Sequence, residues 1–375
     1  MYDYTFSESS INLNTISFCL FTFVTTLNWR RALKINTDID RLDKHYIFIF
    51  IGILSYTLCD FRAGDFFHYQ EMVKTYDLFT YNNIEPIYGI FIHFVQANYL
   101  MFRVLVWGLA LLLFTLTAKR FQSGTFLSLF VLFSVFITTF AYARASLAMS
   151  IYFFGLSFLC QPLRKIPKIG YFIGIIIIIS SYFFHHSILI MIALTIVILI
   201  PINKYTITIL FLMMPLIVYF GNQAFINILS SNNFTDEISN KLNTYSTREQ
   251  SVGPSAILIN TLEYASYYIP AIVLFYKFYF SSDRKRIIIE RYIYRLGKVT
   301  LSIIIFATIF LFFGLKNQVF FYRILYFSYI PLIILLCSAY MHNIIRYKTF
   351  KLIILFGLLA QITKLGYSIY AYTTI

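Results

Sequence analysis

The chain has 375 residues, of which 59% are hydrophobic and only 12% charged, with a mean hydropathy of +0.74. Soluble domains carry about 25% charged residues, so this composition excludes a water-soluble globular protein and points to a polytopic membrane protein. The net charge is +14, but the basic residues fall in short clusters between apolar segments and form no single patch, which speaks against a nucleic-acid partner.

In chain order, the N-terminus MYDYTFSESS has no basic segment ahead of the first apolar run. That run is expected to stay as a transmembrane helix rather than be removed as a signal. Apolar runs of spanning length lie near 12–29, 46–61, 99–118, 123–140, 144–160, 169–184, 187–201, 205–221, 256–276, 299–315, 320–340 and 350–371. The expected fold is all-α: a single integral membrane domain over 1–375 with about twelve transmembrane helices. Several runs are short, and the 31 Tyr and 42 Phe supply aromatic anchors for their ends.

Charge sets the orientation. With the N-terminus outside, the segments 30–45, 119–122, 161–168, 202–204, 277–298 and 341–351 are cytoplasmic and hold 21 of the 30 Lys and Arg. The outer segments hold seven: Arg62, Lys74, Arg144, Lys241, Arg248, Lys316 and Arg323. Arg103 and Lys364 lie within spans. This is the positive-inside distribution. Two outer segments are long, 62–98 and 222–255, and the former carries the amphipathic start of a span. Within 277–298, DRKRIIIERYIYRLGK alternates basic and apolar residues like a segment lying on an anionic leaflet.

No Walker A, GxGxxG or HExxH pattern occurs. Cys19, Cys59, Cys160 and Cys337 are scattered in or beside apolar spans without metal-ligand spacing, and read as small buried hydrophobes. No cofactor or metal is expected. The His185–His186 pair lacks the i,i+4 spacing that sets two ligands on one helix face.

On this topology the polar residues that look out of place gather on the outer side. Asp60 ends the second span, and Arg62 and Asp65 follow in CDFRAGDFFHYQEMVKTYDLF. Glu85 opens EPIYGIFIHFV, where Glu before Pro86 also makes a good helix start. Arg144 sits in the turn AYARASLAMS, His185 in YFFHHSILIM, and Arg323 in FFYRILYF. The plainer readings are a helix cap for Glu85, a structural histidine for His185, and arginines that snorkel to the interface. Against the last stands the position of Arg144 and Arg323 on the side that the charge bias leaves poor in cations. Together these residues would line one outer cavity. Guanidinium forks suit phosphate oxygens, aromatic faces suit sugar rings, and a carboxylate can take a proton from a sugar hydroxyl. Glycosyl transfer from a lipid-linked diphosphate fits that set.

The ordered series GDFFHY, EPIYGIF, ARASLAMSIYF, FHHSILI and YRILYF resembles the EpsG-like, Wzy-type polymerases of bacterial O-antigen and exopolysaccharide. The series departs from the family pattern in two places. Asp65 follows Gly64 directly, and Arg144 is followed by Ala145 rather than Gln. The resemblance implies a fold similar to the GT-C group of membrane glycosyltransferases, with the site on external loops. It implies a substrate too, an oligosaccharide repeat unit on undecaprenyl diphosphate, polymerised at the periplasmic face of the bacterial inner membrane. On that reading Arg144 and Arg323 hold the donor diphosphate, with Arg62 and Arg248 as further candidates. Asp65 or Glu85 orients or deprotonates the acceptor hydroxyl, and His185 bonds within the site. The expected protein partner is a chain-length regulator or an export machine. The alternatives are an O-antigen ligase-like transferase and a flippase or transporter of lipid-linked oligosaccharide.

Overall fold

The computed structural model describes residues 46–58, 70–73, 85–140, 142–160, 168–199, 205, 254–280, 291–312 and 318–373. The expected span 12–29, all but the first residue of the span 205–221, all but the last two residues of the outer segment 222–255, over half of the outer segment 62–98 and the cysteines Cys19 and Cys59 lie outside them.

The described residues fold into α-helices with short 3₁₀ and π turns, and no strand occurs among them. The helices are α1 (Tyr46–Leu58), α2 (Pro86–Phe94), α3 (Tyr99–Arg120), α4 (Thr125–Phe140), α5 (Ala143–Cys160) and α6 (Lys168–Ser180). There follow α7 (Leu189–Leu194), α8 (Pro254–Phe275), α9 (Arg291–Phe312), α10 (Gln318–Tyr326), α11 (Tyr329–Met341) and α12 (Tyr347–Thr373). Among the described residues three stretches are long and apolar enough to cross a membrane: Tyr99–Arg120, Tyr292–Ile309 and Tyr322–Met341. Four shorter apolar stretches accompany them, Tyr46–Ser55, Thr125–Phe140, Arg144–Cys160 and Ile169–Phe183.

Two helices form the centre. All of α4 except Thr138 is buried, and α11 is buried from Tyr329 to Ala339. A helix apolar on every side needs neighbours on every side. The two pack on each other, α1 and α12 also cover α4, and α8 and α9 cover α11. The peripheral helices turn apolar stripes outward instead. Ile169, Phe172, Ile173, Ile176 and Ile179 of α6 are exposed at helical spacing, as are Leu352, Leu355, Leu359 and Ile362 of α12. An exposed apolar stripe this long suits lipid rather than water.

Lipid gives helices little hydrophobic reason to associate, so close backbone packing holds them together. At the crossing of α5 and α6, a Cβ on Gly155 would lie 2.9 Å from the carbonyl oxygen of Gly174. A Cβ on Gly174 would lie 2.8 Å from Cβ of Phe158. Only glycine admits this approach.

Two expected spans are not continuous helices. The run 320–340 breaks at Phe327 and Ser328. Pro331 has no N–H to donate to the carbonyl of Phe327, and the Ser328 hydroxyl bonds back to Leu325 O at 2.6 Å. The described part of the run 187–201 consists of the 3₁₀ turn His186–Ile188, α7, and the 3₁₀ turn Thr195–Leu199. Its content of Ile, Val and Thr lowers helix propensity. Of the basic stretch 277–298, the described residues lie in the π turn Tyr276–Phe280 after α8 and in the first two turns of α9.

Candidate active site

The helical run that starts with α6 stops at His185. Ser180 and Ser181 bond back to Ile177 O at 2.8 Å and Ile178 O at 2.5 Å, a competition with the helix ladder that bends or ends helices. His185 then takes an extended backbone, φ −165° and ψ 115°, and projects its ring inward between two 3₁₀ turns.

Glu85 stands at the head of α2, where Pro86 starts the helix. A capping glutamate would bond a backbone N–H of its own first turn, but Glu85 makes no such bond. Its buried carboxylate is turned across the bundle. One oxygen, Oε2, accepts from Nη1 of Arg144 at 3.0 Å, and the other, Oε1, meets Nδ1 of His185 at 3.1 Å. An ionised carboxylate only accepts hydrogen bonds, so Nδ1 carries the hydrogen, and in the neutral ring Nε2 presents its lone pair.

Burial alone would push the Glu85 carboxyl up. The hydrogen bond from His185 and the charge of Arg144 outweigh it and hold the pKa at about 2. Glu85 is therefore a permanent carboxylate and, by the same shift, a weak proton acceptor. Arg144 lies in the first turn of α5, at the end of the helix dipole that disfavours a cation. Glu85 compensates for that placement. The neighbouring backbone is held from both sides of the bundle. Tyr88 of α2 donates to Arg144 O at 3.4 Å, and Tyr329 of α11 donates to the Ser146 hydroxyl at 3.3 Å. Arg144 keeps 27% of its side chain exposed and His185 19%, so both can meet a ligand.

A second charged pair adjoins the first group. Glu263 of α8 is buried and ion-pairs with Lys364 of α12 through Oε1. Tyr326 of α10 donates to the same oxygen at 3.4 Å and stacks on Tyr142, two residues before Arg144, with ring centroids 5.4 Å apart. Arg323 lies one turn before Tyr326 on α10 and is exposed. The structure thus brings three of the expected site residues, Glu85, Arg144 and His185, into direct contact and places Arg323 on a helix that joins the second pair. Asp65, Arg62 and Arg248 lie outside the described residues.

Glu263 is a residue that the sequence reading missed. Its signal was available: an acid inside an apolar run normally has a partner, and Lys364 was the unexplained cation in another. Among the described residues no three His, Cys, Asp or Glu side chains come together to hold a metal ion.

A model described as the EpsG family matches residues 44–374. No curated protein and no solved structure matches the chain.

Proposed function

The chain belongs to the EpsG family, and from that premise we propose that it is a polysaccharide polymerase acting on lipid-linked sugars. In detail, it is a glycosyltransferase of the Wzy type with about twelve spans and a GT-C-like fold. It joins undecaprenyl-diphosphate-linked repeat units at the outer face of the bacterial cytoplasmic membrane, in concert with a chain-length regulator.

The observation that supports this reading is the double contact of Glu85 with Arg144 and His185, which stand 59 and 100 positions away in sequence. The contact divides the chemistry. Arg144, with Arg323, holds the donor diphosphate and stabilises its charge as the leaving group departs. Glu85 fixes the histidine tautomer and ring orientation, as the carboxylate of a hydrolytic triad does. Nε2 of His185 takes the proton of the acceptor hydroxyl, and Asp65 helps to orient that hydroxyl. The freed oxygen bonds to the anomeric carbon of the growing chain, the bond from that carbon to the diphosphate oxygen breaks, and undecaprenyl diphosphate leaves with the electron pair.

The experiment is the size distribution of surface polysaccharide in a strain lacking the gene. Single repeat units on the lipid acceptor support a polymerase. Absence of any unit on that acceptor supports a ligase, and flipping of the lipid-linked unit without chain growth by the reconstituted protein supports a transporter.

A further inference from the structure

Three tyrosine rings from three segments lie face to face, the outermost of them two residues before Arg144 in sequence. The outermost, Tyr142, stacks on Tyr326 at 5.4 Å and 27°, and Tyr326 stacks on Tyr267 of α8 at 6.1 Å and 28°. The inner end of this pile is fixed. Tyr267 is buried, shares a hydrogen bond with the Thr139 hydroxyl, and meets the edge of Phe136 at 5.0 Å.

The middle ring is fixed by charge. Glu263 accepts from the Tyr326 hydroxyl, and Nζ of Lys364 lies 5.9 Å from the Tyr326 ring centroid. The outer ring stays open: Tyr142 is 38% exposed.

A tyrosine that merely anchors a helix end to the interface needs no such backing; apolar neighbours and a wet hydroxyl suffice. Here an acid and a lysine are desolvated inside the bundle, an arrangement that does not favour stability over an apolar pair. What the pair does achieve is a fixed middle ring, and through it a fixed outer one. The outer ring is two residues from Arg144, so their Cα atoms are at most about 7 Å apart, the scale of one sugar ring beside its phosphate.

We propose that Tyr142, backed by Tyr326 and Tyr267 and anchored by Glu263 and Lys364, is a platform for the sugar ring next to the diphosphate held by Arg144. The proposal rests on the reading of this site as a glycosyl-transfer centre. A pyranose ring offers a face of C–H groups to the electron-rich face of the tyrosine. Tyr142 is the contact. Tyr326, Glu263 and Lys364 are positioning residues that act through it.

The test uses the full chain in lipid nanodiscs and saturation-transfer NMR. Its probe is the repeat-unit oligosaccharide released by mild acid from the host's own lipid-linked intermediates, free of lipid and phosphate. Wild type transfers saturation to the sugar protons. Tyr142→Ala and Tyr142→Leu each lower that transfer at least five-fold, the latter showing that apolar bulk does not replace the ring, while Tyr142→Phe keeps at least half of it. Glu263→Gln lowers it at least two-fold.

Equal transfer by wild type and Tyr142→Leu overturns the proposal, as does absence of transfer to wild type. The readout needs no polymerisation, so it separates this proposal from the reading beneath it. If transfer does not depend on Tyr142 while Arg144→Ala abolishes polymer in cells, the platform alone is lost. If Arg144→Ala leaves polymer intact, the diphosphate site at Arg144 is lost; if a strain lacking the gene still makes full-length polymer, the polymerase reading is lost and the sugar-binding result stands by itself.

Discussion

Glu85 and His185 stand 100 residues apart in the chain and 3.1 Å apart in the fold, Oε1 to Nδ1. Replacing Glu85 by Gln keeps the shape but lets the side-chain amide turn either its oxygen or its nitrogen to the ring, so the tautomer is no longer fixed. Polymer formation should fall at least 100-fold, with the protein still folded. A ladder of normal length from Glu85→Gln at equal protein level would remove Glu85 from the site.

The same carboxylate makes stability depend on acid. Its pKa is about 2 in the fold against about 4.5 unfolded, so the folded form holds its proton less tightly. The stabilisation is fully present above about pH 4.5 and is lost as pH falls from there toward 2. A thermal-denaturation series in detergent should show the wild-type melting temperature dropping through that window more steeply than that of Glu85→Gln. Parallel curves would contradict the assignment.

Arg144→Lys keeps one positive charge and loses the fork. A lysine can replace the ion pair with Glu85 but not the paired donors that match a diphosphate. Activity should fall at least ten-fold in Arg144→Lys and vanish in Arg144→Ala, with both variants expressed. Full activity in the lysine variant would mean that charge alone is sufficient.

The buried pair invites a double-mutant cycle. Removing one partner leaves an uncompensated charge, which costs about 3–5 kcal/mol in buried pairs. Glu263→Gln and Lys364→Met should each lower the melting temperature markedly, and the double variant should recover most of the loss. Additive losses would show that the contact between Glu263 and Lys364 contributes nothing to folding.

Gly155 tests the packing. A Cβ there would stand 2.9 Å from the backbone oxygen of Gly174 and 2.9 Å from Cγ1 of Ile178. Neither the α6 backbone nor a branched side chain can give way easily. Gly155→Val should destabilise by about 1–3 kcal/mol or more, seen as loss of the monodisperse peak in size-exclusion chromatography. A normal peak would mean that α5 and α6 do not cross there.

The candidate site was legible in the sequence to the extent that its members were odd where they stood. Glu85, Arg144 and His185 drew notice because each stands at the end of an apolar run. No local pattern could say that one carboxylate grips the other two, since the contacts span 59 and 100 positions. Glu263 escaped because NTLEYASYYIP holds enough polar residues to hide a single acid. Its partner Lys364 was visible, yet 101 residues of separation leave no spacing signal.

Helix positions followed apolar run length well for α3, α4 and α5. They followed less well where backbone chemistry intervened. Pro331 breaks the run that includes Arg323, and two serines bonding back to their own helix stop α6 before His185. These are effects of single residues, which a window of hydropathy averages away.

The central claim is that Arg144, held by Glu85, binds the diphosphate of a lipid-linked donor whose sugar chain is then transferred. The most direct measurement gives the purified full chain the lipid-linked repeat unit as its only substrate and resolves the products by size on a gel. Wild type should build a ladder of multiple units, and Arg144→Ala should leave single units on their lipid. A ladder of equal extent from Arg144→Ala would contradict the account.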